Sequence, residues 1–330
     1  MRSSGAEVGN SPYLLSTPAS RFGSPGDRIA DLLAQAVRLI FLPKHRGAAI
    51  SHEVSGTPAR VWRDPEGRPA VYGYREGETW AIDVPRVAVF RFGRQGDVAV
   101  AAYPGAARSQ VRDVYRRGIL PLILQYRGRE VLHASAVLAG GNVVGLCGVS
   151  GTGKSTIAYG LGLRGHQVWA DDALVFRVSP AMVETLPLGF GLRLRPAAAR
   201  HFGLLRRSAG EIVGAGGGED GRNAARPLVA VCVLQRGRGP APSAAEAVPL
   251  GAVQAFIALL PHAYCLDLDD LERKSRMMQQ YLDLAGRVPV FSIKFSDGLE
   301  SLGGVLDAIQ RIARAGRVPE VRRDGHPTAV

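Results

Sequence analysis

The chain has 330 residues, with 41 Lys+Arg against 29 Asp+Glu and a formal net charge of +12. Its 46% hydrophobic and 21% charged content suits a folded globular chain and excludes a mainly disordered or collagen-like one. The length fits one large or two modest domains, and only Lys44, Lys154, Lys274 and Lys294 are lysines among the cations, so each lysine is a position to examine.

Cys147, Cys232 and Cys265 are odd in number and widely spaced, which points to no disulfide framework or zinc cluster and to a reducing, cytoplasmic setting. No apolar run reaches the roughly 20 residues that span a bilayer, and the N-terminus lacks the sustained apolar core of a signal peptide. No membrane association is expected. The arginines are spread along the whole chain, without an RNP-like, zinc-finger or helix-turn-helix pattern, so no specific nucleic-acid partner is expected.

Residues 1–26 are rich in Ser, Gly and Pro and read as lacking fixed structure. Ile29, Leu32, Leu33, Ala36, Val37 and Ile40 repeat at helical spacing behind Asp27, a candidate N-cap. From Ala59 to Tyr103 the pattern turns to strands: ARVWR and AVYGYR flank DPEGRP, and VAVFRF and DVAVAAY flank GRQG, each pair a hairpin. Residues 107–127 read as helix, broken at Pro121. EVLHASAVLA and NVVGLC are two strands around Gly140-Gly141. A loop, a helix (TIAYGLGLRG) and a strand (HQVWA) follow. PLVAVCVLQ and VPVFSIKF are further buried strands, and helices are expected over Leu271–Ala285 and Leu299–Ala313. Residues 211–227 are glycine-rich and read as mobile, and the tail after Val318 as frayed. His166 behind Gly165 suits a helix C-cap. Met277 and Met278 suit helix packing.

Between NVVGLC and the helix, Gly148, Gly153, Lys154 and Ser155 satisfy G-x-x-x-x-G-K-[ST]. Glycines let successive backbone N–H groups converge on one anion, and the helix start adds its positive dipole end. The loop Gly148, Val149, Ser150, Gly151, Thr152, Gly153, Lys154, Ser155 and Thr156 is therefore a candidate phosphate cradle. Lys154 is placed to reach the β- and γ-phosphates, and the Ser155 hydroxyl to ligate Mg²⁺. Asp171 and Asp172 close the strand after the first helix, where a carboxylate can hold Mg²⁺ or take a proton from an attacking hydroxyl; a turn-capping role is the other reading. His133, on the preceding strand, reads first as structural, but it is placed to approach Asp171 or a phosphate. Arg193, Arg195, Arg222 and Arg226 are candidate phosphate clamps, each of which also suits a solvated surface.

Together these elements resemble the catalytic domain of HPr kinase/phosphorylase. That family carries a histidine on the strand before the loop, then G-x-S-G-x-G-K-S, then R-G-H-x-x-x-A-D-D. The counterparts here are LHASAV, GVSGTGKS and RGHQVWADD. Clear motif covers residues 130–178, and a weaker likeness runs on to the final helix.

The resemblance implies an α/β domain with a mixed sheet, like phosphoenolpyruvate carboxykinase, behind a small hairpin-rich α+β region. The expected division is a disordered 1–26, the front region 27–128, the P-loop kinase domain 129–317 and a frayed 318–330. The implied activity is ATP- and Mg²⁺-dependent transfer of the γ-phosphate to a serine of a protein or peptide. In that reading Lys154 and the 149–155 backbone hold phosphates, Ser155 and Asp172 hold Mg²⁺, and Asp171 is the general base, assisted by His133. The family's six-membered rings imply a homo-oligomer.

Thr156 takes the place of the family's Glu, and GFGLRLRP stands where the family has E-L-R-G. The front half resembles diverged HPr kinase-like proteins, some of which phosphorylate lasso-type precursor peptides, so the acceptor is either an HPr-like protein or such a peptide. Shikimate- and gluconate-type small-molecule kinases share the loop and carboxylate placement, but their loop lies near the N-terminus, whereas 147 residues precede Gly148 here. A non-catalytic, nucleotide-gated binding module is the third reading.

Overall fold

The computed structural model describes residues 37, 39–42, 54, 56–64, 66–188, 191–204, 225–237 and 245–316. The expected disordered start, most of the glycine-rich stretch with Arg222, and the tail after Val318 lie outside the described residues.

The front region is a six-stranded sheet. Its strands are β1 (Leu39–Phe41), β2 (Arg60–Arg63), β3 (Pro69–Glu76), β4 (Thr79–Val84), β5 (Ala88–Gly93) and β6 (Val98–Ala102), in the spatial order β1-β6-β5-β4-β3-β2. Both expected hairpins form, β2 with β3 and β5 with β6, and β4 joins them into a meander. The expected helix over Ile29–Ile40 meets a correction at its end. Leu39–Phe41 is a strand, paired parallel to Val98–Val100, because the open β6 edge offers a ladder to a short run rich in β-propensity; residues 27–36 lie outside the described residues.

One face of this sheet buries Trp80, Ile82, Phe90 and Phe92 against Val111, Tyr115, Ile119 and Ile123. Those four partners belong to a single helical run: α1 (Arg108–Val114), a π-helical turn (Tyr115–Ile119) and α2 (Leu120–Tyr126). The expected break at Pro121 is instead a widened turn. Leu120 N–H bonds Tyr115 O five residues back, and Pro121 lacks the N–H that an α-helix would direct at the Arg117 carbonyl.

The second sheet has nine strands: β7 (Glu130–Leu132), β8 (Ala134–Ala139), β9 (Asn142–Cys147), β10 (Gln167–Ala170), β11 (Leu174–Val178), β12 (Val183–Leu186), β13 (Arg226–Gly237), β14 (Glu246–Leu250) and β15 (Val290–Ser296). It is mixed. β13 lies parallel to β9 and β15, whereas β8, β10 and β14 pair antiparallel to their neighbours. Gly140 and Gly141 both take positive φ, 59° and 82°, as the two-residue β8–β9 turn requires.

The expected single strand through His133 is in fact two. β7 pairs β11 while β8 pairs β9 and β10, and at the switch the His133 N–H donates to His262 O at 2.7 Å.

Helices cover both faces. On one, α3 (Lys154–Leu163) and α7 (Leu302–Ala315) pack Ile157, Leu161, Val305 and Ile309 against Val144 and Leu146. On the other, α5 (Ala252–Leu259) and α6 (Leu271–Arg287) pack Leu259, Met277 and Tyr281 against Phe176 and Val231. A short α4 (Pro196–His201) adds Ala198 to the first face. Met277 is core, as the sequence suggests, and Met278 packs beside it. His166 caps α3, its N–H reaching Leu161 O behind Gly165. No described helix is long and apolar enough to cross a membrane.

A buried ion pair within the second region also reaches the front one, through the guanidinium's bond to the Gln125 carbonyl. Arg273 Nη1 lies 2.7 Å from Glu130 Oε1, both nearly inaccessible, and the same guanidinium donates to Gln125 O. Burial pushes the Glu130 carboxyl up against the pull of Arg273. Removing one member leaves an uncompensated buried charge. Arg273→Ala is therefore expected to destabilise the fold by about 3–5 kcal/mol in urea denaturation, whereas the exposed pair-breaking change Arg276→Ala costs under about 1 kcal/mol.

Candidate active site

The loop between β9 and α3 folds as its composition requires. Thr152 Oγ1 donates back to Val149 O at 2.7 Å, and Gly153 takes φ +107° where the helix begins, a conformation that favours glycine. The first backbone N–H groups of α3 thus face an open cavity. Ser150, Gly151, Gly153, Lys154, Ser155 and Thr156 line it, Thr152 is buried, and Val149 is exposed on the loop's outer side.

Lys154 is buried. Its Nζ donates to Gly148 O at 2.8 Å and lies 3.1 Å from His133 Nε2. The other ring nitrogen, Nδ1, is 3.0 Å from Asp172 O. A carbonyl only accepts, so Nδ1 carries the ring proton and Nε2 accepts from Lys154. His133 is therefore neutral, consistent with burial and the Lys154 charge holding its pKa down. Its side-chain partners are Lys154, the Asp172 backbone and the Tyr264 hydroxyl, not the expected Asp171 carboxylate, and the ring lines the cavity. Burial also lowers the Lys154 pKa.

β10 delivers the two adjacent aspartates to opposite surroundings. Asp171 is 1% exposed. Its Oδ1 accepts from Ser135 Oγ and Ser155 Oγ, each at 2.7 Å, and its Oδ2 from the Arg193 N–H at 2.9 Å. Burial, then the Asp172 charge, push the Asp171 carboxyl up, against the pull of those hydrogen bonds. Asp172 lines the cavity. Its φ of +63° is uncommon for a non-glycine residue, and three contacts hold it: His133 and the Tyr264 hydroxyl on its carbonyl, and Arg117 Nη1 at 2.8 Å from its Oδ2.

The cavity holds about 800 Å³. Around it stand Lys154, Arg193, Arg195 and Arg236 against Asp172 and Asp297, a cationic balance suited to polyphosphate. Of the expected clamps, Arg193 and Arg195 reach the cavity, Arg195 Nη2 lying 3.4 Å from Ser150 Oγ; Arg226 is on β13, away from it. Arg236, absent from the sequence reading, donates to Thr152 O and pairs with Asp297.

Ser135, Arg117 and Tyr264 were also not singled out. Ser135 lies two residues past His133, the spacing that puts strand side chains on one face, and this spacing is visible in LHASAV. Arg117 and Tyr264 carry no local signal.

No protein-family model and no curated protein matches the sequence. Among solved structures, the chain is similar to the Hpr(Ser) kinase/phosphatase from Coxiella burnetii, at 14% identity and a TM-score of 0.30, over 56% of this chain and 93% of that one. That is a distant likeness.

His262, next to His133 in space, is buried neutral, with its pKa lowered to about 4 by burial and by Lys154 and His133. The unfolded chain binds that proton near 6.5. This contribution to stability is therefore complete above pH 6.5 and is lost as pH falls towards about 4. Urea midpoints should drop between about pH 7.5 and about pH 5, and His262→Asn should flatten that drop.

Proposed function

We propose that the chain is a P-loop phosphotransferase that moves the γ-phosphoryl group of ATP to a hydroxyl, with a serine of a protein or small precursor peptide as acceptor. The observation that carries the reading is the convergence of Lys154, Ser155 and Asp172 on one cationic cavity at the start of α3.

The loop N–H groups and Lys154 bind and orient the phosphates; Arg195 and Arg236 add charge at the loop's flanks. Lys154 leaves Gly148 O and His133 to do so, and His133 then serves as its resting partner. Mg²⁺ would be held at the loop by the Ser155 hydroxyl, which Asp171 orients. Among the described residues no cluster of three or more His, Cys, Asp or Glu could hold a metal; an Mg²⁺ ion here would take its remaining ligands from substrate phosphates and water. When bound, Mg²⁺ supplies charge neutralisation on the phosphates.

Burial supports a division of the aspartates different from the one the resemblance implies. Asp171 has both oxygens engaged and no access to the cavity, so its task is to orient Ser155. Asp172 faces the cavity and is the proposed proton acceptor. The acceptor oxygen bonds to the γ-phosphorus, the bond to the β,γ-bridging oxygen breaks to leave ADP, and the hydroxyl proton passes to Asp172.

The test is incubation with ATP and Mg²⁺ against HPr, serine-containing precursor peptides, and shikimate and gluconate as small-molecule controls. Mass spectrometry should find one added phosphate on a serine. Lys154→Met should lower that transfer by about 10²-fold or more. Phosphate on a small molecule alone would move the reading to a metabolite kinase. ATP binding without transfer to any acceptor would move it to a nucleotide-gated module.

A further inference from the structure

We propose that Arg117, carried by the front region, is a positioning residue that holds Asp172 in its cavity-facing conformation and so makes phosphoryl transfer depend on the front region. The inference rests on the function proposed above for Asp172.

Arg117 sits in the π-helical turn that Pro121 widens, between Tyr115 and Ile119, which anchor the turn in the front core. Its side chain is 11% exposed and crosses to the second region. Nη1 donates to Asp172 Oδ2 at 2.8 Å and lies 3.4 Å from Asp171 Oδ2; Nη2 donates to Gly191 O at 2.8 Å; Nε donates to Asp113 Oδ1 at 2.9 Å. Asp113 in turn accepts from Arg193 Nη1 at 3.0 Å, and the Arg193 N–H holds Asp171. One guanidinium therefore spans α1, the segment at Gly191 and both aspartates.

Three features favour positioning over direct catalysis or simple packing. Arg117 does not line the cavity, so it acts through Asp172. Asp172 has a backbone conformation that must be held from outside, and Arg117 is the partner of its side chain. The bonds point in three directions, which a planar fork can satisfy and a lysine ammonium on a flexible stem cannot.

The experiment has two arms. The first is a double-mutant cycle of Arg117→Gln and Asp172→Asn on the unfolding equilibrium. It reads the contact whether or not the protein is a kinase. The two effects should depart from additivity by about tenfold in the unfolding constant, and additivity would overturn the proposal.

The second arm measures turnover of ATP with Mg²⁺ as ADP formed in the presence of HPr and a serine-containing precursor peptide. Arg117→Gln and Arg117→Lys should both lower kcat by about 10–100-fold, while nucleotide affinity stays within about threefold of wild type, since the loop contacts are untouched. Guanidinium ions, but not ammonium, should restore turnover to Arg117→Ala. Wild-type turnover in Arg117→Lys, or absence of rescue in a folded Arg117→Ala protein, contradicts the proposal. Wild-type protein that turns over no ATP contradicts the function proposed above, and the first arm then decides the role of Arg117.

Discussion

Two adjacent carboxylates at the end of one strand repel each other, and one of them is out of water. Much of the site's construction is a response to that constraint. Asp171 is tolerated in the interior because two serine hydroxyls, a backbone N–H and a guanidinium surround it; a buried carboxylate without such partners would cost several kcal/mol. Asp172 is turned the other way by a left-handed backbone step. Neighbours in sequence thus face different surroundings, one bonded to Ser155 in the interior and the other lining the open cavity.

The same arrangement explains why the phosphate loop is joined to elements far from it in sequence. The break between β7 and β8 places His133 between the Asp172 carbonyl and Lys154, and that break exists because β7 and β8 pair with different strands. The front region is more than an appendage. Its helical run supplies Arg117 to the aspartates and the Gln125 carbonyl to Arg273, while Leu266 of the second region is buried in the front core. Stability and site geometry therefore share contacts across the boundary.

What the sequence made legible was local. The loop is one contiguous motif whose glycines, lysine and serine each have a stated physical task, and it folds where that motif says. Both front hairpins, the Gly140-Gly141 turn and the two C-terminal helices were readable from alternation, turn residues and helical spacing. The failures involve pairing at a distance. Leu39–Phe41 could continue a helical repeat until the β6 edge was there to pair with it. A continuous apolar run gave no sign that His133 marks a strand switch. Arg117 is one of many arginines in the chain, and nothing near it in sequence announces two aspartates more than fifty residues away. The division of roles between Asp171 and Asp172 was also hidden, because adjacency in sequence says nothing about which carboxylate the fold buries.

The central claim is that Asp172 faces the reacting groups while Asp171 stays behind Ser155. Single-turnover transfer from ATP, measured beside ATP affinity with and without Mg²⁺, tests it in Asp172→Asn and Asp171→Asn. Asp172→Asn should bind ATP with Mg²⁺ within about threefold of wild type and lose transfer by about 10²-fold or more. Asp171→Asn should instead lose the Mg²⁺-dependent gain in ATP affinity. An Asp172→Asn protein that transfers phosphate at the wild-type rate would contradict the account.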